Sequence, residues 1–130
     1  MKHLLFAALC AAALSAASPE VDAYLQQLQS QAPLPFDAKR GEAIFTSEHV
    51  GKKGTAMSCT SCHGTDLSQN GKNANTGKLI EPLAPSANPA RLTSIKEVKK
   101  WLRRNFNDVY NREGSAQEKG DVLTYIMNVK

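Results

Sequence analysis

The first half of the chain shows the spacing of amphipathic helices, with apolar residues three and four positions apart. Ser18 suits an N-cap and Pro19 the first helical position. The apolar positions that follow predict a helix that ends before Pro33; they are Val21, Tyr24, Leu25 and Leu28. Asp37 can cap a second helix, which carries Ile44 and Phe45 and is expected to end near His49.

Two further helices are predicted near the C-terminus. Capping boxes begin them at Ser94 and Ser115, each with a glutamate three positions later. The first has a stripe of Val98, Trp101, Leu102 and Asn105, and the second buries Val122, Leu123, Ile126 and Val129. A close crossing of two helices would explain the glycine at position 120. We expect Gly41, Phe45 and Tyr125 to lie at that crossing. Strand-like alternation and internal repeats are missing from the sequence, so the predicted fold is all-α.

Residues 64–93 have no helical period and are rich in Gly, Pro and Asn. A loop this long is uncommon in a compact domain unless it has a function. Wrapping a flat cofactor is one such function, because the cofactor supplies apolar surface that the loop lacks. A disordered linker is the alternative.

The N-terminus has the features of a secretory signal. Lys2 and His3 precede the apolar run 4–14, and small residues follow it. Ser15 and Ala17 suit the −3 and −1 positions, so we expect residues 1–17 to be a signal peptide and 18–130 one domain. This predicts a periplasmic protein with no stable membrane insertion after cleavage, the alternative being a buried N-terminal helix. Cys10 is lost with the signal, and Leu9 before it is too large for a lipobox.

Composition narrows the class further. With 130 residues, 42% hydrophobic and 22% charged, the chain has the size of a single domain. The net charge is +4. No aromatic residues alternate with the basic ones, so nucleic-acid binding is not predicted.

The mature chain keeps two cysteines, in the sequence Cys59-Thr60-Ser61-Cys62-His63. This is the c-type haem attachment signature. Two thiols at this spacing can each add to one vinyl group of the porphyrin, and His63 is then the proximal iron ligand. One motif predicts one covalent haem c. One alternative is a thioredoxin-like dithiol, which normally follows a strand, and no strand pattern precedes this motif. The other is a zinc site, which needs further ligands, and no second Cys/His pair follows.

The expected distal ligand, a methionine, is missing between residues 58 and 126. Met57 is too close to the motif to reach the other side of the ring, and Met127 is expected to fill core space. Asn105 lies on the apolar stripe and is a candidate ligand, although a helix C-cap or a buried hydrogen bond explains it as well. His49 and Lys78 are the rival ligands.

Two motifs resemble the SHP-type cytochromes c (sphaeroides haem protein). They are residues 76–86, TGKLIEPLAPS, and residues 101–105, WLRRN. The resemblance extends from about Pro19 to the C-terminus. It implies a class I-like cytochrome c fold, here with an extra N-terminal helix, and it maps the family's unusual ferric iron ligand onto Asn105. In that family the Asn leaves on reduction, the ferrous iron binds oxygen, nitric oxide or carbon monoxide, and a dihaem cytochrome c donates the electron.

The chain departs from the family pattern directly after Asn105. The family places a cysteine there, paired with another a few residues later. Here the first position is Phe106, and the second falls near Glu113 or Gly114. A disulfide is therefore not expected to tether the distal loop.

The sequence thus predicts an exported cytochrome that accepts one electron and, once ferrous, binds or reduces a small diatomic. The alternative is a pure electron carrier with a permanently six-coordinate haem. Trp101 is expected to pack near the haem, although a plain core role is equally compatible. The backbone carbonyl of Pro82 is expected to accept from the second ring nitrogen of His63. Basic residues around the distal helix would steer an acidic partner or simply form a solvated face; they are Lys96, Lys99, Lys100, Arg103, Arg104 and Arg112. A protein that only binds a diatomic and one that also reduces it would need the same residues. The sequence therefore assigns no catalytic group.

Overall fold

The computed structural model describes residues 17–130, so nearly all of the predicted signal peptide lies outside the described residues. Helices dominate the described part of the chain. They are α1 (Pro19–Gln31), α2 (Ala38–Thr46), α3 (Thr60–His63), α4 (Ile95–Tyr110) and α5 (Ala116–Asn128). Within residues 17–130, none of these helices is long and apolar enough to cross a membrane.

Side-chain caps fix where the helices begin. The hydroxyl of Ser18 accepts from the backbone N–H of Val21, and a carboxylate oxygen of Asp37 accepts from that of Arg40. At α5 the predicted capping box with Ser115 is complete. At α4 only half of the box forms. Ser94 accepts from the Glu97 N–H, but the Glu97 carboxylate turns to other side chains of α4.

Two antiparallel ladders lie in the loops. Strands β1 (His49–Val50) and β2 (Ala56–Met57) pair with His49 opposite Met57, and β3 (Gly71–Lys72) pairs with β4 (Leu79–Ile80). Helix α2 ends at Thr46, earlier than expected, because the chain turns extended at Ser47 and continues into β1. Each strand has only two residues, so the predicted all-α class is confirmed.

The core forms where α2 crosses α5 and α1 packs on both α5 and α4. A Cβ on Gly41 would lie 2.0 Å from the backbone oxygen of Asp121, so only glycine permits this approach. The rings of Phe45 and Tyr125 meet there with centroids 5.6 Å apart, which confirms the expected crossing. A side chain at Gly120 is excluded for a different reason. The ring of Phe36, from the segment before α2, fills the space beside it.

Asp121 locks this crossing from inside. Its side chain is 1% exposed, and its carboxylate accepts from Arg40 Nε at 3.0 Å, from the Asp37 backbone N–H at 2.8 Å and from Gln117 Nε2 at 3.1 Å. Burial raises the pKa of Asp121, but these donors, Arg40 foremost, outweigh it and hold the pKa below its ordinary value of 3.8.

We expect the Asp121→Asn variant to lose about 2 kcal/mol of unfolding free energy at pH 7, because charge-assisted hydrogen bonds are lost. The carboxylate contributes stability above its unfolded-state pKa and loses it as the pH falls through the lower folded-state pKa. The gap between parent and variant should therefore close below about pH 4. Denaturant unfolding across pH measures this, with the exposed Glu48→Gln as control. A gap that does not change with pH would contradict this account.

Candidate functional site

The CxxCH motif forms one tight turn of helix. Cys59 is the N-cap of α3, and its backbone oxygen accepts from the N–H of His63 at 3.1 Å. This brings both thiols and the imidazole to one cavity. Gly64, with φ of 72°, ends the helix in the left-handed region that favours glycine.

His63 is held as a neutral imidazole. Burial, and then the nearby cation of Arg91, lowers the pKa of His63 to about 4. The Phe45 ring packs beside it with centroids 5.8 Å apart. A neutral imidazole is the form that binds a metal.

The Cys59 thiol is unsuited to dithiol redox chemistry. Burial raises the pKa of Cys59 to about 11, whereas a thioredoxin-like cysteine has a lowered pKa. The zinc alternative is also unsupported, because within residues 17–130 no group of three or more His, Cys, Asp and Glu side chains is arranged to hold a metal ion. Within the described residues neither Cys59 nor Cys62 forms a disulfide, so both sulfurs can attach to a porphyrin.

The wrapping loop closes against the motif at β3. A Cβ on Gly71 would lie 2.2 Å from the backbone oxygen of Cys62, so the loop touches α3 through backbone alone. Two residues beyond β3, the backbone N–H of Ala74 lies 3.3 Å from the Cys62 sulfur. The predicted role of this loop, enclosing a flat cofactor, agrees with its position.

The cavity between α3, the loop and α4 has a volume of about 1110 Å³. Pockets for small ligands span roughly 300–1,000 Å³, so this one suits a large ligand. Its walls are mainly apolar, with nine of the lining residues belonging to the buried core: Phe45, Leu92, Val98, Leu102, Phe106, Val109, Val122, Leu123 and Ile126. Two thiols, a neutral imidazole and apolar walls in one cavity fit a covalent haem.

Helix α4 forms the wall that carries Asn105. This residue is half-buried and lines the cavity, and its side chain makes no hydrogen bond to the described residues. It is neither a C-cap, since α4 ends at Tyr110, nor a buried amide bonded to backbone. Its carboxamide is therefore available to a ligand in the cavity.

Trp101 lies at the mouth of the cavity rather than in the core. It is 45% exposed, lines the cavity, and donates from Nε1 to Glu97 at 3.1 Å. Lys100 and Arg104 lie 5.2 and 5.6 Å from its ring centroid. A cation pair on an aromatic face is stabilising and holds the indole in place.

The Pro82 carbonyl accepts from other donors than the one expected. Arg91 Nε and Asn88 Nδ2 donate to this oxygen at 3.0 and 3.3 Å. Another nitrogen of the Arg91 guanidinium donates to the backbone oxygen of Glu81 at 2.9 Å. The His63 ring makes no hydrogen bond within residues 17–130. Sequence reasoning missed Arg91, whose contacts come from a fold of the loop that no local pattern encodes.

The rival ligands differ in position. His49 stacks on Tyr110 with centroids 4.0 Å apart and does not line the cavity, whereas Lys78 does. Met57, which the sequence places too near the motif, lines the cavity as well, because β2 carries it toward α4. Met127 packs against the core as expected.

The cations of α4 are partly used within the protein. Lys100 pairs with Glu97 at 2.7 Å, and Lys99 lies over the Tyr24 ring at 4.9 Å. Arg112, after the helix, pairs with Glu118 at 2.9 Å. The expected basic face is therefore smaller than the sequence suggests.

Phe106 occupies the place of the missing cysteine. It is 5% exposed, and a Cβ on Gly114 would lie 2.8 Å from its ring. The ring of Tyr110 also packs against Phe106, with centroids 5.3 Å apart. An aromatic ring packed against a glycine thus connects Phe106 to the segment, Glu113 or Gly114, where the resemblance implies the second cysteine.

Comparison with known proteins identifies the family. Residues 31–126 match the family model described as a domain of unknown function, DUF1924. The chain is 46% identical over 98 residues to the cytochrome c-type protein SHP of Cereibacter sphaeroides, with 75% of each chain covered. It is 33% identical over 87 residues to cytochrome c'' of Methylophilus methylotrophus, which covers 67% of this chain and 60% of that one.

Solved structures agree with the sequence matches. A structure titled oxidized SHP, an oxygen binding cytochrome c, superposes with a TM-score of 0.74 at 43% identity and covers 82% of this chain and 94% of that one. Oxidized cytochrome c'' superposes with a TM-score of 0.72 at 29% identity, covering 85% and 91%. The chain therefore belongs to the SHP-type cytochromes c, and it carries covalently bound haem c.

Proposed function

We propose that this chain is a periplasmic monohaem cytochrome c whose ferrous state binds or reduces a small diatomic such as oxygen or nitric oxide. In this proposal Cys59 and Cys62 hold the haem, His63 is the proximal ligand and Asn105 the distal ligand of the ferric state. The observation that carries it is the Asn105 carboxamide on the wall formed by α4, which forms no hydrogen bond with residues 17–130. The similarity to a protein whose structure title describes it as an oxygen binding cytochrome c supports it.

Haem c supplies one-electron chemistry and an iron whose distal position takes either a protein group or an external molecule. A carboxamide oxygen is a hard ligand, which suits ferric iron better than the softer ferrous iron. A diatomic π-acceptor has the opposite preference. Reduction would therefore free Asn105 from the iron and open the site without a separate switch.

The proposed protein is exported and receives its electron from another cytochrome. Residues 1–17 are the signal peptide and residues 18–130 the functional domain, with α1 beginning at Pro19. The donor is a dihaem cytochrome c, as the family resemblance implies. Trp101, exposed at the cavity and close to two cations, is the surface at which we expect such a donor to approach the haem.

Asn105→Ala should change the ferric absorption spectrum and leave the ferrous spectrum nearly unchanged, because the ligand is lost only in the oxidised state. The reduction potential should rise, by about 59 mV for each tenfold of ferric ligand affinity removed. Spectra of both redox states and a potentiometric titration measure this. His49→Ala, at a residue that does not line the cavity, is the control and should change neither the spectra nor the potential, and Lys78→Ala should leave the ferric spectrum unchanged. An unchanged ferric spectrum in Asn105→Ala would rule out the assignment.

The ferrous protein should bind carbon monoxide, with a large shift of its absorption spectrum. In Asn105→Met the soft thioether is expected to stay on ferrous iron and suppress this binding. A parent protein that ignores carbon monoxide would instead be a pure electron carrier with a permanent distal ligand. Covalent haem content, checked in each variant, separates these results from failed maturation.

A further inference from the structure

A second, smaller cavity of about 270 Å³ adjoins the large one. It is lined by Lys52, Lys53, Met57, Asn75 and Asp108. The last three of these also line the large cavity, so the two spaces share a wall. We call the smaller space the distal passage.

The distal passage adjoins the part of the large cavity that carries Asn105. Asp108 follows Asn105 by three residues on α4, a rise of about 4.5 Å along the helix axis, and both residues line the large cavity. Its inner end therefore lies within one helical turn of the proposed distal ligand.

Backbone contacts hold the walls of the passage in place. The Lys52 N–H donates to the Asp108 backbone oxygen at 3.0 Å. A Cβ on Gly51 would lie 2.4 Å from that oxygen and 2.8 Å from the sulfur of Met57, so turn and helix touch directly. On the other wall, the side-chain oxygen of Asn73 accepts from the N–H of Asn75 at 2.9 Å.

The charge at this passage favours anions. Lys52 and Lys53 are exposed, and neither forms an ion pair within residues 17–130. Asp108 is the single acidic residue among the five lining residues, so the passage carries a net positive charge. A cleft with a net charge raises the local concentration of oppositely charged ligands and their association rates.

We propose that the distal passage admits small inorganic anions, of the size and charge of nitrite or azide, to the distal side of the haem. Lys52 and Lys53 attract the anion and Asp108 opposes it, so the balance of these three charges sets the rate. Neutral diatomics gain nothing from this field. The inference rests on the proposed function, because it assigns an entrance to the site that Asn105 occupies.

The test measures association rates with the haem-loaded protein by stopped flow at low ionic strength. Azide and nitrite are the anionic probes for the ferric state, and carbon monoxide is the neutral probe for the ferrous state. The Lys52→Glu/Lys53→Glu variant should slow both anions by about three- to tenfold and leave carbon monoxide unchanged. Asp108→Asn should accelerate the anions, and half-molar salt should remove both effects.

A matched double variant, Lys39→Glu/Lys130→Glu, changes the net charge equally at exposed positions that line neither cavity. If this control slows azide binding equally, net charge alone matters and the proposal is overturned. The proposal is also overturned if the azide association rate does not change when Lys52, Lys53 or Asp108 is substituted. If carbon monoxide fails to bind but the azide rate changes in the Lys52, Lys53 and Asp108 variants, the proposed function is wrong and the passage is supported. If carbon monoxide binds and azide does not respond, the reverse holds.

Discussion

The apolar side chains of α4 and α5 face a cavity, and this constraint shapes the rest of the structure. Buried residues such as Leu102, Phe106 and Leu123 belong to the core and also line that cavity. In a close-packed protein such a space is filled, because unfilled apolar volume is costly. The covalent haem is therefore part of the core, and the direct protein packing is concentrated where α2 crosses α5 at Gly41 and Asp121.

The same arrangement keeps the proposed distal ligand in place. Asn105 lies on a helix of sixteen residues, so its position is set by the helix rather than by a flexible loop. Phe106 packs against Gly114 and anchors that helix at the point where the family resemblance implies a disulfide. An aromatic contact constrains the folded state through packing, whereas a disulfide also constrains the unfolded chain. In this protein the distal helix thus depends on the packed core to keep its place.

Local patterns in the sequence predicted most of the fold and the attachment motif. The caps at Ser18, Asp37 and Ser115, the helix spacing and the run Cys59–His63 each depend on residues a few positions apart, where spacing determines geometry. The rest depends on contacts between distant segments. The bond from Arg91 to the Pro82 carbonyl, the position of Met57 against α4 and the distal passage arise only when the loop and the turn at 51–55 meet the helix. No spacing rule encodes such meetings.

The most direct test of the account is a crystal structure of the haem-loaded protein in both oxidised and reduced states. We expect His63 to bind the iron in both states. The Asn105 oxygen should bind the iron in the oxidised crystal and lie out of bonding distance in the reduced one. Asn105 bound in both states, or another residue opposite His63 in the oxidised state, would contradict this expectation.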